Sequence, residues 1–126
     1  MLKIIIRGNP ITKKNSMRIV RMGQYSKIIP SVAYMNYKEM VFYQIGGQYK
    51  DKPINTPVNV KCVYYMKTRR KVDLLNLMSA TLDLLVDLGI LEDDNSRIVK
   101  GHDGSRVYYD KDNPRVEVTI EKIKED

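Results

Sequence analysis

Three carboxylates could do chemistry in this chain: Asp73, and the adjacent pair Asp93 and Asp94. A hard cation such as Mg²⁺ takes oxygen ligands, keeps several waters, and is usually held by one or two protein carboxylates together with substrate phosphates. Asp73 with Asp93 or Asp94 would suffice. The residues before Asp73 carry the opposite sign, because Lys67, Arg69, Arg70 and Lys71 run directly into it. A surface built only to hold phosphates gains nothing from carboxylates at its centre. Acids amid bases make sense if a metal bridges them to a phosphate, polarises the phosphoryl oxygen and activates water, while the flanking bases supply backbone affinity. Asn76, one turn beyond Asp73, could orient Asp73 or a scissile phosphate, or be a surface amide.

Plainer readings stand beside these. An Asp at a helix start caps free backbone N–H groups. Glu92, Asp93, Asp94 and Asn95 could be an ordinary acidic turn. Arg69 and Arg70 could pair with Asp93 and Asp94 as surface salt bridges, which contribute little.

The whole chain sets the frame. Its 22 Lys+Arg against 15 Asp+Glu give a net charge of +7, which favours encounter with polyanions without choosing among DNA, RNA and an anionic membrane. A second basic group, Lys13, Lys14, Arg18 and Arg21, lies outside the most apolar segments. At 126 residues one compact domain spanning 1–126 is expected, without help from disulfides. Cys62 is the only cysteine, so no intrachain disulfide or cysteine-based zinc site can form, and a reducing, cytoplasmic setting is expected. No stretch approaches the roughly 20 apolar residues of a spanning helix, and the run in MLKIIIRGNP is too short for a signal peptide, so no membrane partner is expected. No His-Asp arrangement around Ser79, Ser96 or Ser105 supports a serine nucleophile.

The elements that must position these residues follow from periodicity. Leu2 to Arg7 reads as a strand closed by Gly8, Asn9 and Pro10, and residues 11–30 as a long loop or irregular hairpin. Ser31 is a plausible N-cap for a helix whose Tyr34, Tyr37, Val41 and Ile45 recur at helical spacing until Gly46 and Gly47. That tyrosine stripe reads as core packing rather than a base-stacking platform. Val58 to Lys67 alternates as a strand, Asp73 to Leu88 reads as a helix stopped by Gly89, and Ile98 to Tyr109 as a strand interrupted near Gly101 to Gly104. Val116 to Ile120 is the final strand. The expected fold is a single α+β domain, two helices on a mixed four-stranded sheet in the order β-α-β-α-β-β.

At about 100° per residue, Asp73, Asn76, Ala80, Asp83 and Asp87 share one arc of the second helix, opposite Leu74, Leu77, Met78, Leu82, Leu84, Leu85 and Leu88. The arc holds no lysine or arginine, so its acids need counter-charge from elsewhere.

The stretch TRRKVDLLNL, followed by LDLLVDLGILEDDNSRIV, resembles the RusA-type Holliday-junction resolvase family, especially its phage and prophage members. The match is specific over residues 67–99, and GNPITKKNS and PRVEVTI are similar to the family's first strand-loop and last strand. The resemblance implies a homodimer that binds four-way DNA junctions and makes paired nicks with Mg²⁺ or Mn²⁺, in DNA recombination and repair in a bacterial or phage-infected cell. It points to Asp73, Asp93 and Asp94 as metal ligands and catalytic residues, with Asn76 beside them. Lys13, Lys14, Arg18, Lys67, Arg69, Arg70, Lys71 and Arg106 would contact DNA. Two positions depart from the pattern: Leu75 stands where members often carry a second acid, and Ser79 where a catalytic lysine often follows. A changed metal geometry, another residue filling in, or a non-catalytic junction-binding descendant all remain open. His102 and Asp103 are candidates for the filling role, although HDGS is also good turn sequence. An RNA-directed nuclease is a further alternative, since phosphate contacts alone do not distinguish the polymers.

Overall fold

The computed structural model describes residues 1–13 and 17–124. Its central strand is β4 (Val58–Met66), in which Val58, Val60, Cys62 and Tyr64 are buried on one face while Asn59, Lys61, Val63 and Tyr65 take the other. One edge of β4 pairs antiparallel with β7 (Arg115–Lys122), which pairs antiparallel with β1 (Leu2–Arg7). The other edge takes β5 (Val99–Gly101) and β6 (Arg106–Tyr109), both parallel.

The α+β architecture is as the sequence leads one to expect, with five strands in the sheet rather than four. The difference lies in the interrupted third strand, which is two short strands along one edge of β4. Between them residues 102–105 leave the ladder, and side chains replace the missing backbone bonds. Asn59 accepts from the Asp103 N–H at 2.8 Å and donates to the Asp103 carbonyl at 3.1 Å. The Ser105 hydroxyl accepts from the Cys62 N–H at 3.0 Å. Residues 17–30 form a regular hairpin, β2 (Met17–Met22) against β3 (Tyr25–Pro30), as a separate two-stranded sheet. Its two-residue turn begins at Gly23, whose φ of +64° suits a tight hairpin connection.

Both helices cover the same face of the large sheet and share its core. Helix α1 (Val32–Ile45) starts at Ser31, whose hydroxyl accepts from the Tyr34 N–H, and buries Tyr34, Tyr37, Val41 and Ile45. The stripe is core, as its spacing indicates. Helix α2 (Leu74–Asp87) is capped by Asp73 and ends before Gly89, which takes φ +76°. Its buried face is Leu77, Met78, Ala80, Thr81, Leu84 and Leu85. Ala80, on the polar arc in projection, is therefore in the core, since a methyl group fits where the helix approaches its neighbours. Among the described residues the opposite face of the sheet carries no helix.

One polar contact crosses the core from β4 to α2. Thr81 Oγ1 donates to the Leu77 carbonyl at 3.0 Å, so its proton is spent and the Tyr64 hydroxyl donates to Thr81 Oγ1 at 2.7 Å. Burial pushes the Tyr64 hydroxyl pKa well above its ordinary value, which keeps it a donor. Tyr64→Phe should cost about 1 kcal/mol, whereas Thr81→Val, which strands a buried hydroxyl with only the weak acceptor of Cys62 nearby, should cost about 2 kcal/mol. Urea unfolding of both variants and of the double variant checks this; a double variant as unstable as the sum of the singles would show that the two groups are not coupled.

Candidate functional site

The chain leaves β4 through an exposed basic segment. The Lys67 N–H donates to Asn9 Oδ1 at 2.9 Å, tying this exit to the turn after β1, and Lys67, Arg69, Arg70 and Lys71 all face solvent. The Arg69 guanidinium lies over the Tyr109 ring, 4.1 Å from its centroid. Among the described residues neither Arg69 nor Arg70 pairs with Asp93 or Asp94.

Asp73 then starts α2. Its Oδ1 accepts from the Leu75 N–H at 2.9 Å and the Asn76 N–H at 3.3 Å, so the capping reading is correct. Capping does not consume the group. Both bonds fall on Oδ1, the residue is exposed, and Oδ2 accepts no hydrogen bond among the described residues. Cap and ligand are compatible roles for one carboxylate. Asn76 is half-buried one turn on, while Leu75 is 62% exposed beside it and Ser79 is exposed.

Asp93 and Asp94 sit elsewhere. They line a cleft of about 230 Å³ with Lys13, Asp83, Val86 and Asp87, alongside the second half of α2. The Asp93 carboxylate accepts from the Asp94 N–H at 2.8 Å and from the Asn95 side-chain amide at 3.0 Å, and these bonds hold its pKa below the usual aspartate value. Asp94 is shifted the other way: partial burial comes first, then the hydrogen bond to Asp93 and the charges of Asp83 and Asp93, all raising its pKa. The acids of the helix find their counter-charge outside it. Asp83 meets Lys13 at 3.4 Å and Asp87 meets Lys38 of α1 at 2.9 Å, both as surface pairs of small energetic worth.

The structure thus brings Asp93 and Asp94 together with Asp83 and Asp87, and leaves Asp73 and Asn76 at the other end of the helix. Asp83 follows Asp73 by ten residues, roughly 15 Å of helical rise. Among the described residues no group of three or more His, Cys, Asp or Glu side chains could hold a metal by itself. One or two carboxylates are enough for a hard cation that also binds phosphate, and a crowded, charge-strained Asp94 beside Asp93 fits that need. Sequence reasoning passed over Asp83 as the neighbour of Asp94, although its place on the polar arc was the available signal.

The remaining expected residues are dispersed. His102 and Asp103 belong to the turn between β5 and β6, with Asp103 held by Asn59 on the helix-free face of the sheet, away from the acids of α2. Arg106 is exposed on β6, in register with Val63 of that same face. Arg18 lies on β2 opposite Ile29, and Lys14 falls outside the described residues.

The opposed shifts of the two acids have a measurable sign. Asp94 has a folded-state pKa above its unfolded value, so its ionisation opposes folding, and the stability present below the ordinary aspartate pKa declines as pH rises towards the raised value. Asp93 does the reverse. In a carboxyl-carbon NMR titration Asp94 should ionise above Asp93, and Asp83→Asn should lower the Asp94 midpoint part of the way, because burial is the larger cause. Asp94 ionising with or before Asp93 would contradict the placement described.

No curated protein matches the chain. The family model described as Endodeoxyribonuclease RusA matches residues 7–121, a span that includes β1 from its last residue, both helices, the basic exit from β4 and the Asp93–Asp94 turn. The chain belongs to the RusA endodeoxyribonuclease family.

Proposed function

We propose that this endodeoxyribonuclease is a metal-dependent resolvase of four-way (Holliday) DNA junctions, acting as a homodimer by paired phosphodiester hydrolysis in recombination and repair. The observation that carries the reading is the exposed run of Lys67, Arg69, Arg70 and Lys71 ending on Asp73, whose carboxylate keeps one oxygen unengaged. The basic side chains, with Lys13 near the acidic cleft, would hold the phosphate backbone. Asp93 and Asp94 would hold Mg²⁺ or Mn²⁺, and Asp73 would join them. The bound ion supplies Lewis-acid polarisation of the phosphoryl oxygen and a water of lowered pKa. Asn76, beside the cap, would orient the phosphate. In a bacterial or phage-infected cell the cytoplasm gives access to such junctions.

The length of α2 bears on how the acids meet. Asp94 shares its cleft with Asp83, which lies roughly 15 Å of helical rise from Asp73, and among the described residues no three acids gather as a metal site within one copy. In the homodimer Asp73 of one copy would meet Asp93 and Asp94 of the second, and twofold symmetry would give two equivalent sites for two equivalent cuts. A second reading has its own support. Leu75 is 62% exposed where an acid is expected and Ser79 is exposed where a lysine is expected, an arrangement that suits a junction-binding protein without cleavage.

Incubation with a synthetic four-way junction and Mg²⁺ or Mn²⁺ decides between them: symmetric nicks support the resolvase, and binding without nicks in either metal selects the binding module. Asp73→Asn is an informative variant because asparagine caps a helix as well as aspartate does, so folding is retained. It should slow cutting about 100-fold or more while leaving junction affinity within a few-fold. Duplex and RNA substrates run in parallel report on polymer choice.

The shared site has a separate signature. Asp73→Asn and Asp94→Asn proteins, each inactive alone, should recover cutting when their subunits are mixed, because the mixed dimer holds one intact Asp73–Asp94 combination. Recovery would be confined to one strand per junction. No recovery from demonstrably mixed dimers would place each site within a single copy.

A further inference from the structure

The helix-free face of the sheet carries an aromatic column that the cleavage reading does not use. Arg115 on β7, Tyr65 on β4 and Tyr108 on β6 are in register across three neighbouring strands. The Arg115 guanidinium lies 3.9 Å from the centroid of the Tyr65 ring, and the Tyr65 and Tyr108 rings are 5.6 Å apart with 31° between their planes. Since β7 and β6 flank β4 on opposite edges, Arg115 and Tyr108 approach Tyr65 from opposite sides. The base of the column is fixed. Arg115 bonds Asp110 at 3.0 Å, Glu117 at 2.7 Å and the Asn113 carbonyl at 2.9 Å, and its side chain is only 16% exposed.

The other end is open. Among the described residues β6 pairs only with β4, so Tyr108 stands at a sheet edge, and it is 49% exposed. Its neighbour Tyr109 alternates to the helix side and is already covered by Arg69. Arg106 lies two residues before Tyr108 on the same side of the strand, about 7 Å along it, and faces solvent. A single exposed tyrosine needs no explanation. An exposed ring that ends a cation–aromatic column, with a solvent-exposed guanidinium-bearing residue next to it, is an arrangement suited to a flat π system bearing a phosphate.

We propose that Tyr108 is a stacking platform for an unpaired nucleobase of DNA, with Arg106 contacting the adjoining phosphate. The proposal rests on the DNA-cleaving reading of the preceding section and names a structural feature of its substrate: a nucleotide out of the helical stack, as at a branch point or gap. Stacking on an aromatic side chain is tolerant of base identity because every base has a π face. The column is ordered before DNA arrives, so little side-chain freedom is lost on binding.

The test is binding to three DNAs of equal length, a paired duplex, a duplex with a short thymidine gap, and a thymidine single strand, measured by fluorescence anisotropy in EDTA so that cutting does not intervene. Tyr108→Ala should weaken the gapped and single-stranded complexes about five- to a hundred-fold and change the duplex complex less than twofold. Tyr108→Phe should behave as the unaltered protein, because the ring and not the hydroxyl carries the contact. A 5-iododeoxyuridine in the gap should photocrosslink to Tyr108. Equal losses on all three DNAs, no loss on any, or a crosslink to other residues alone would overturn the proposal. Junction cutting by Tyr108→Ala separates the two readings: retained cutting with unchanged discrimination removes the stacking site and leaves the nuclease, while failure of the unaltered protein to bind any DNA removes both.

Discussion

The docking of α2 on β4 is the constraint from which the placement of Asp73, Asn76 and the acids along the helix follows. β4 delivers its alternating Val58, Val60, Cys62 and Tyr64 to one side, and α2 answers with Leu77, Met78, Ala80, Thr81, Leu84 and Leu85. Burial of such side chains stabilises by about 1.5–3 kcal/mol for each large one, so the pairing of these two surfaces is not easily slid. The Tyr64–Thr81 hydrogen bond adds direction to what is otherwise non-directional contact. Because the helix follows the strand after a short exit, its N-terminus must lie at the end of β4 where the basic segment emerges. Asp73 meets that segment for topological reasons, and the same topology carries the far end of α2 towards the Asp93–Asp94 turn. There the Leu85 carbonyl accepts from Ile90 and Leu91, and Leu91 bridges to Ile54, which fixes where the turn begins.

Electrostatics then divides the helix surface into unlike ends. At the start, Asp73 is stabilised by free N–H groups and directly follows the exposed basic segment in the chain. Further along, Asp83, Asp87, Asp93 and Asp94 share a small cleft with one lysine, Lys13, whose contact to Asp83 is long at 3.4 Å. Surface pairs of this kind do not neutralise a cluster. Partial burial first, then the hydrogen bond to Asp93 and the charges of Asp83 and Asp93, hold the Asp94 pKa above the usual aspartate value.

Much of this was legible in the sequence where local rules decide the outcome. Ser31, Asp73 and Gly89 bound their helices as capping chemistry requires, and Tyr34, Tyr37, Val41 and Ile45 are buried as their spacing implies. The hairpin β2–β3 was harder to read because it is not part of the main sheet: Ile19 is 73% and Ile28 66% exposed, so no alternation of buried and exposed residues marks the strands. The split of the third strand depends on Asn59, more than forty residues away, taking over backbone bonds of Asp103. The neighbours of the acids were hidden for the same reason. Lys13 reaches Asp83 across a separation of 70 residues, and no local pattern announces it. Periodicity found the polar arc, but only the turn geometry after Gly89 decides which of its acids Asp94 will face.

Leu75 and Ser79 take on a definite physical meaning in this setting. A second acid at position 75 would place two negative charges within the first turn of α2, where the helix dipole and the basic segment favour anions of any kind, DNA phosphate included. Leucine removes one competitor for that field, and its exposure leaves an apolar surface beside Asp73 rather than a ligand. With leucine there the helix start carries one negative charge fewer, which favours the approach of an anion from outside. At the other end of α2 four carboxylates line one cleft, with Lys13 against Asp83 and Lys38 against Asp87. Asp73 caps the start of α2 through Oδ1 alone, so among the described residues its Oδ2 stays open to solvent at the point where the basic segment meets the helix.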